Sequence, residues 1–305
     1  MARKKVVWHL IPTMNYGGVE VGIVKSYQQL CCEFNYKIVV LSGKNEINNI
    51  PISSLWTFIS KVRREDTIIV SLWKTYLIGI VLSFLRFKVL PFIHHSGNVH
   101  LVANLITRFT TVVLSEGIAD SSASSTYYNT NYHIAPYVFS IKEMNSNLRD
   151  IDVIWVGRDA DQKRFDLSMQ VMSQLSNSGY NVLSIIATNR DYGFEHPCLI
   201  NCNTDEVIRL LSRSKVYMQL SVYEGFSMST AEAIMSGCRP FVTPVGEIEK
   251  YLDKKYFVES VQIESIISEL HAILEEGTGN VKARVERLSS YGSYIETLKK
   301  VLNEI

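Results

Sequence analysis

The 305-residue chain lacks an apolar run long enough to cross a bilayer as a helix. Its most apolar stretch, "YLIGIVLSFLRFKVLPFI" from Tyr76 to Ile93, is broken by Arg86 and Lys88 and falls short of the ~20 residues that spanning requires. It reads as a buried helix up to Arg86 and a strand from Lys88 to Ile93, with a membrane-surface role for its basic end as the alternative. A secretory leader is not expected, because "MARKKVVWHLIP" enters a strand pattern without an apolar core region. Cysteine is scarce. Its five copies (Cys31, Cys32, Cys198, Cys202, Cys238) are odd in number and lack framework spacing, which excludes a disulfide scaffold and suits a reducing cytoplasm. Cys198 and Cys202 have no second pair to complete a zinc site and read as core residues. There is no P-loop, and "YGGVEVG" is not G-x-G-x-x-G, so a nicotinamide cofactor is not expected. His9, His100, His133, His196 and His271 show no partner spacing and read as packing or surface residues. Internal repeats and low-complexity tracts are also lacking.

Net charge is nearly absent as well, at +1, but it is unevenly spread. Residues 1–150 hold 15 Lys/Arg against 9 Asp/Glu, whereas residues 151–305 hold 16 against 21. A basic first half suits an anionic partner, and an accidental surface bias accounts for it equally well.

What is present is the make-up of a globular protein, with 47% hydrophobic and 20% charged residues in a chain long enough for two domains. Short β-branched runs ("KVVWHLI", "YKIVVLSG", "DTIIVSLW", "KVLPFIHH", "TTVVLS") alternate with helical patterns, and "IADSSASSTYYN" leads into a further helix. Continuous apolar runs of this kind belong to a parallel sheet covered on both faces. The pattern restarts after the polar stretch "FSIKEMNSNLRD" with "IDVIWVGR", "NVLSIIAT", "KVYMQLS" and "PFVTPV" as strands. The expected fold is therefore α/β, two Rossmann-like domains facing across a cleft. Residues 1–148 form the first domain and 149–284 the second. Helices at Val281–Ser289 and Tyr291–Glu304 follow, with roughly 285–305 packing back on the first domain.

Two motifs carry the chemistry. In "KVYMQLSVYEGFSMSTAEAIMSG" a strand ends near Ser221, a helix starts near Met228 or Ser229, and Gly237 closes it. Ligands of open parallel sheets bind beyond the carboxyl ends of strands, where this loop lies, and the helix N-terminus adds free N–H groups and a positive dipole end. Gly225, Ser227, Ser229 and Thr230 are small enough for a phosphate to approach that backbone. Glu232, read as lying in the first helical turn, suits a ribose diol, and Glu224 suits the hydroxyls of whatever the phosphates carry. A plainer reading makes Ser229 an N-cap and Glu232 its capping-box partner, but it leaves Glu224, Gly225 and Phe226 without a purpose. The second motif, "WVGRDADQKRF", sets Arg158 and Lys163 around a strand-to-helix turn, where a forked cation and a point cation neutralise adjacent phosphates. Asp159 and Asp161 imitate the Asp-x-Asp of metal-dependent transferases and read as turn residues instead.

Together "WVGRDADQKRFDLSMQVMSQL" and "YEGFSMSTAEAIMSGCRPFVTPVGEIEKYL" resemble the C-terminal half of the family 4 retaining glycosyltransferases of the GT-B fold. "MNYGGVEVGIVKSYQQL" resembles that family's N-terminal glycine loop, and "FIHHSGN" and "IADSSASS" its central motifs. The resemblance implies a nucleotide-sugar donor, with Arg158 and Lys163 on the diphosphate, Glu224 at the sugar and Glu232 at the ribose. Gly17 and Gly18 would face the phosphates, and His95, beside His94, the reacting centre. It further implies retention of anomeric configuration, no cofactor and no metal. The donor is expected to be a UDP-hexose or UDP-N-acetylhexosamine, and the acceptor a glycan or a saccharide on a polyprenyl diphosphate, as in bacterial surface polysaccharide synthesis. A cytoplasmic enzyme in peripheral contact with an anionic membrane through Arg63, Arg64, Lys74, Arg86 and Lys88 follows, with no nucleic-acid partner. Two alternatives are a GT-B nucleotide-sugar 2-epimerase and a non-catalytic glycan- or partner-binding subunit. The chain departs from the family's pattern at "ATNRDYG", where a Gly-rich turn is usual, and at Glu247, where a glycine is.

Overall fold

The computed structural model describes residues 4–13, 18–42, 46–47, 50–93, 112–115, 132–135, 148–224, 227–246, 249, 252–277 and 291–305. The chain divides into two compact units, Met1–Val138 with Ser289–Ile305, and Phe139–Leu288. The boundary expected at 148/149 adjoins residues 136–147, which lie outside the described residues.

Strands of the first unit are β1 (Val6–Ile11), β2 (Asn35–Val40), β3 (Glu46–Ile47), β4 (Ile50–Ser54), β5 (Thr67–Ser71), β6 (Lys88–Ile93), β7 (Val112–Ser115) and β8 (Tyr132–Ala135). They form one sheet in the order β3-β4-β2-β1-β5-β6-β7-β8, parallel apart from the β3–β4 pair. Alternation along β1 shows why its sequence is apolar apart from His9. Val7 and Ile11 enter one core, with α1 (Gly18–Leu30) and the C-terminal helix Tyr291–Glu304. Trp8 and Leu10 enter the other, with α2 (Leu55–Lys61) and α3 (Trp73–Phe84). A central strand buried on both faces has no polar side to show. The strands expected at the starts of both halves are present, as is the strand Lys88–Ile93. The segment β3–β4–α2 was not legible, because residues 46–54 carry polar and proline residues where a strand is usually apolar. The helix expected after "IADSSASS" lies outside the described residues.

The second unit contains β9 (Ile151–Arg158), β10 (Val182–Ala187), β11 (Cys198–Ile200), β12 (Ser214–Gln219) and β13 (Arg239–Val242). All pairs are parallel, in the order β11-β10-β9-β12-β13. Its helices are α4 (Phe165–Asn177), α5 (Thr204–Ser212), α6 (Met228–Met235) and α7 (Ile263–Glu276), and the C-terminal helix of the first unit is α8 (Tyr291–Glu304). Ile295, Leu298, Val301 and Leu302 of α8 are buried with Val7 and Ile38 of the first sheet. Gly157 of β9 lies under the Trp155 indole, where an added Cβ would sit 2.8 Å from two ring carbons. The glycine in "VGR" thus lets the indole lie flat along its own strand.

Candidate functional site

Chain order in the second sheet reverses between β9 and β12, and their ladder is short. It runs from Ser214↔Ile151 to Tyr217↔Ile154, while β9 continues to Arg158 and β12 to Gln219. The strands are unpaired with each other over these last residues, and that is where a doubly wound sheet offers its binding crevice. Two loops meet there. One follows β9 through the 3-10 turn Asp161–Lys163, and the other follows β12 through Ser221–Glu224.

Their junction is an ion pair. Lys163 Nζ lies 2.7 Å from Glu224 Oε1, with the two side chains 11% and 9% exposed. Two neutral donors reach the same oxygen, Ser221 Oγ at 2.6 Å and Gln219 Nε2 at 2.9 Å. The Gln219 carboxamide is turned by its other end, since Oε1 takes hydroxyls of Ser227 and Thr230 at 2.6 Å each and lies 3.2 Å from Tyr217 OH. With the oxygen so surrounded, the amide nitrogen must face the carboxylate. Gln219 therefore sets the direction of Glu224, a role that sequence reading missed. A polar residue closing an otherwise apolar strand was the available signal.

Main-chain contacts hold the two loops together. Val222 N–H donates to Gln162 O (2.8 Å), Gln162 Nε2 to Tyr223 O (3.0 Å), and Arg164 to the carbonyls of Leu220 and Ser221 (2.8 and 3.0 Å). Arg164 sits at φ 43°, a left-handed conformation that carries the chain out of the 3-10 turn into α4. Arg158 is exposed and donates to Gln162 Oε1 at 3.3 Å, so both expected cations border the same loop junction.

Helix α6 starts at Met228, within the expected range, and its N-terminus does not take the plainer capping-box form. Its N-cap is Ser227, at φ 70° and without a side-chain cap bond, so Ser229 does not cap it and no capping box forms. Ser229 Oγ instead accepts from Tyr217 OH at 2.8 Å. Glu232 is the fifth helical residue, a turn later than the first turn assigned to it. The hydroxyls of Ser227 and Thr230 face inward onto Gln219 and Thr230 N–H donates to Ser227 O (3.1 Å), which leaves the amides of Met228 and Ser229 as the first-turn donors a ligand would meet. Burial, followed by the charges of Glu224 and Glu232 among other effects, raises the Tyr217 phenol pKa, so this hydroxyl serves as a neutral donor. Gly237 follows the C-cap at φ 84°, as a closing glycine should. Gly18 opens α1 in the first unit. Gly17, His94, His95, Gly225 and Phe226 lie outside the described residues.

The acidic decoy is engaged elsewhere. Asp159 Oδ2 accepts from Thr188 Oγ1 (2.6 Å) and Tyr192 OH (2.9 Å), which hold its carboxyl below the usual range, the threonine most strongly. Among the described residues no group of three His, Cys, Asp or Glu is arranged to hold a metal ion. Cys198 and Cys202 are half-buried, Cys198 packing against the core of the second unit, and burial pushes both thiols up, Cys202 to about 11. Such thiols are poor ligands and poor nucleophiles. His9 and His196 pack as expected, His196 between Ser173 Oγ (3.0 Å) and Ser184 Oγ (2.9 Å).

A family model described as "Glycosyl transferases group 1" matches residues 139–293, half of the chain and all of the loops just described. The chain belongs to that family. Among solved structures, this group 1 glycosyltransferase is similar to sucrose-phosphate synthase from Thermosynechococcus elongatus (TM-score 0.78, 12% identity, 99% of each chain covered). It is also similar to an E. coli trehalose-6-phosphate protein bound with UDP-2-fluoro glucose (0.65, 10%, 99% of each). A third is the catalytic domain of starch synthase IV from Arabidopsis thaliana, bound to ADP and acarbose (0.64, 8%, 99% of each). No curated protein matches. At these identities the likeness is one of fold, the GT-B architecture of two parallel α/β sheets. Among the described residues no helix is long and apolar enough to cross a membrane.

Proposed function

We propose that this group 1 glycosyltransferase moves a hexose or N-acetylhexosamine from a UDP-sugar to a glycan or polyprenyl-diphosphate-linked saccharide, retaining anomeric configuration as family 4 enzymes do. The observation that carries the reading is the buried Lys163–Glu224 pair at the strand reversal of the second sheet. An ammonium beside the loop that leads into α6 suits a diphosphate, whose charge grows as the sugar departs, so its stabilisation is worth most in the transition state. Arg158 adds a forked cation at the same loop junction. Glu224, oriented by Gln219 and Ser221, accepts hydrogen bonds from donor-sugar hydroxyls. Glu232 takes the ribose diol, and the first-turn amides of α6, those of Met228 and Ser229, take the phosphates. In this mechanism the departing phosphate deprotonates the acceptor on the face it leaves. Two fixed cations and backbone N–H groups carry the leaving-group charge, and no metal is required. Gly225 and Phe226 complete the proposed donor site by the family's pattern, and that pattern also assigns Gly17, Gly18 and His95 to the reaction. Surface-polysaccharide assembly, at the inner face of an anionic membrane, is the process proposed for it.

The test is donor binding and slow donor hydrolysis across UDP-, GDP- and ADP-sugars. UDP-sugars should raise the melting temperature of the second unit and be hydrolysed, and Lys163→Ala should lose both effects. Stabilisation by no nucleotide sugar, or unchanged hydrolysis in Lys163→Ala, overturns the reading.

A further inference from the structure

Helix α3 is apolar on two faces, although only one meets the core. Tyr76 and Leu82 pack inward with Trp8, Phe58 and Ile68. Outward, Leu77, Val81, Phe84 and Leu85 are 49%, 58%, 70% and 53% exposed. Their spacing of four, three and one residues lines them along one side of the helix, where a surface helix normally carries charge. No charged residue stands between Lys74 and Arg86. Helix α2 packs in the same layer through Phe58, and its Trp56 and Ile59 are 79% and 56% exposed.

Within residues 55–87 the exposed cations outnumber the exposed acids five to one. Lys61, Arg63, Arg64, Lys74 and Arg86 are exposed, and the only acids from residue 55 to 87 are Glu65 and Asp66. Asp66 is buried and accepts from Trp8 Nε1 at 2.9 Å, and Glu65 lies 3.8 Å from Arg63. Lys88 does not share this surface. Its strand neighbours Leu90 and Phe92 face the α8 side of the sheet, and Nζ donates to the Ile305 oxygen at 2.8 Å.

We infer that the outer face of α2 and α3 docks on an anionic bilayer, with Leu77, Val81, Phe84, Leu85 and Trp56 at the acyl boundary and the five cations on lipid phosphates. This names the surface and the lipid charge for the membrane contact proposed above and rests on that part of the reading alone. A second copy is the poorer occupant, because a two-fold contact sets the patch against itself and brings cation to cation. A bilayer answers both features, taking apolar side chains at its boundary and cations at its headgroups.

The experiment is vesicle co-sedimentation of the full chain with phosphatidylcholine alone and with phosphatidylcholine–phosphatidylglycerol. The expected result is binding to the mixed vesicles only, reversed by salt. Val81→Glu with Leu85→Glu, and separately Arg63→Gln with Arg64→Gln, should each weaken it by about tenfold or more. Donor-induced thermal stabilisation should stay unchanged in both variants, which separates failure of docking from failure of the donor site. Where the glutamate variant does not fold, the fluorescence blue shift on adding mixed vesicles, present in the wild type and smaller in Trp56→Phe, is the second support. Equal binding to both vesicle types, binding to neither, or a concentration-dependent dimer abolished by Val81→Glu overturns the inference.

Discussion

Strands β1 and β5 of the first unit occupy the same place in their sheet as β9 and β12 do in theirs, at the reversal of strand order. The first pair is zipped nearly to its end, from Val7↔Thr67 to Leu10↔Val70, with only Ile11 and Ser71 beyond. The second stops at Tyr217↔Ile154, four residues before β9 ends. Polar groups gather at both places. In the first unit His9 bridges Tyr36 OH (2.6 Å) and Ser71 Oγ (2.8 Å), with the imidazole buried between the two hydroxyls. In the second, the hydroxyls of Ser227 and Thr230 donate to Gln219, whose amide donates in turn to Glu224 of the ion pair. Topology supplies the location in both units. What makes one of them a candidate site is the early parting of the strands and a charge at the end of the chain of hydrogen bonds.

The strongest way to break this comparison is Lys163→Ala. Turnover should fall on the order of 10²- to 10³-fold, the loss typical of one transition-state donor. Stability should fall by about 3 kcal/mol, because Glu224 is left as a buried charge without its counter-ion. Steady-state kinetics and urea unfolding separate the two, and activity within a few-fold of the wild type would reduce the pair to a structural ion pair.

The first unit's network should show itself through pH. Burial pushes the His9 pKa down from 6.5 to about 3. Between those values the unfolded chain binds a proton that the folded chain does not, so stability falls as the pH falls. The slope is about 1.4 kcal/mol per pH unit, amounting to about 2 kcal/mol by pH 5. Urea unfolding of the wild type and His9→Asn over pH 5–7 measures it. The wild type should lose more, and equal slopes would mean that the imidazole is not held neutral.

Gln219→Leu tests the other end of the comparison, with a smaller effect. The carboxylate keeps Lys163 and Ser221 but loses the donor that aims it, and the hydroxyls of Ser227 and Thr230 lose their acceptor. We expect kcat to fall about tenfold with little change in KM, and stability to fall by about 1–2 kcal/mol. A rise in KM with kcat unchanged would assign Gln219 to ground-state binding instead.

These residues also show where sequence reading stops. Strands such as "IDVIWVGR" and "KVYMQLS" were legible because their centres, Val153 to Trp155 and Val216 to Met218, are unbroken apolar runs buried on both faces. Arg158, Lys163 and Glu224 were legible because charges that closely follow such strands have few purposes. Gln219 was not, since an amide's partners are set by the folded loop and not by spacing. The position of Glu232 was misread for a related reason. Ser227, rather than Ser229, takes the cap by adopting φ 70° without a side-chain bond, and no cap motif announces that. The outward stripe of α3 was read as buried because apolarity reports a preference for leaving water and not which surface will satisfy it.

The smallest expected effect compares the units directly. Ser54 and Asn203 cap α2 and α5 in the same manner, each accepting from the amide three residues on, Thr57 at 3.1 Å and Glu206 at 2.9 Å. Replacing either by alanine removes one bond to an orphan N–H and should cost about 1 kcal/mol. Hydrogen exchange resolves where that cost falls. Ser54→Ala should speed exchange in the first turn of α2 and leave α5 unchanged, and Asn203→Ala should do the reverse. Exchange that rose equally in both helices would mean that the two units open together, and local accounts of either polar network would then have to include the other unit.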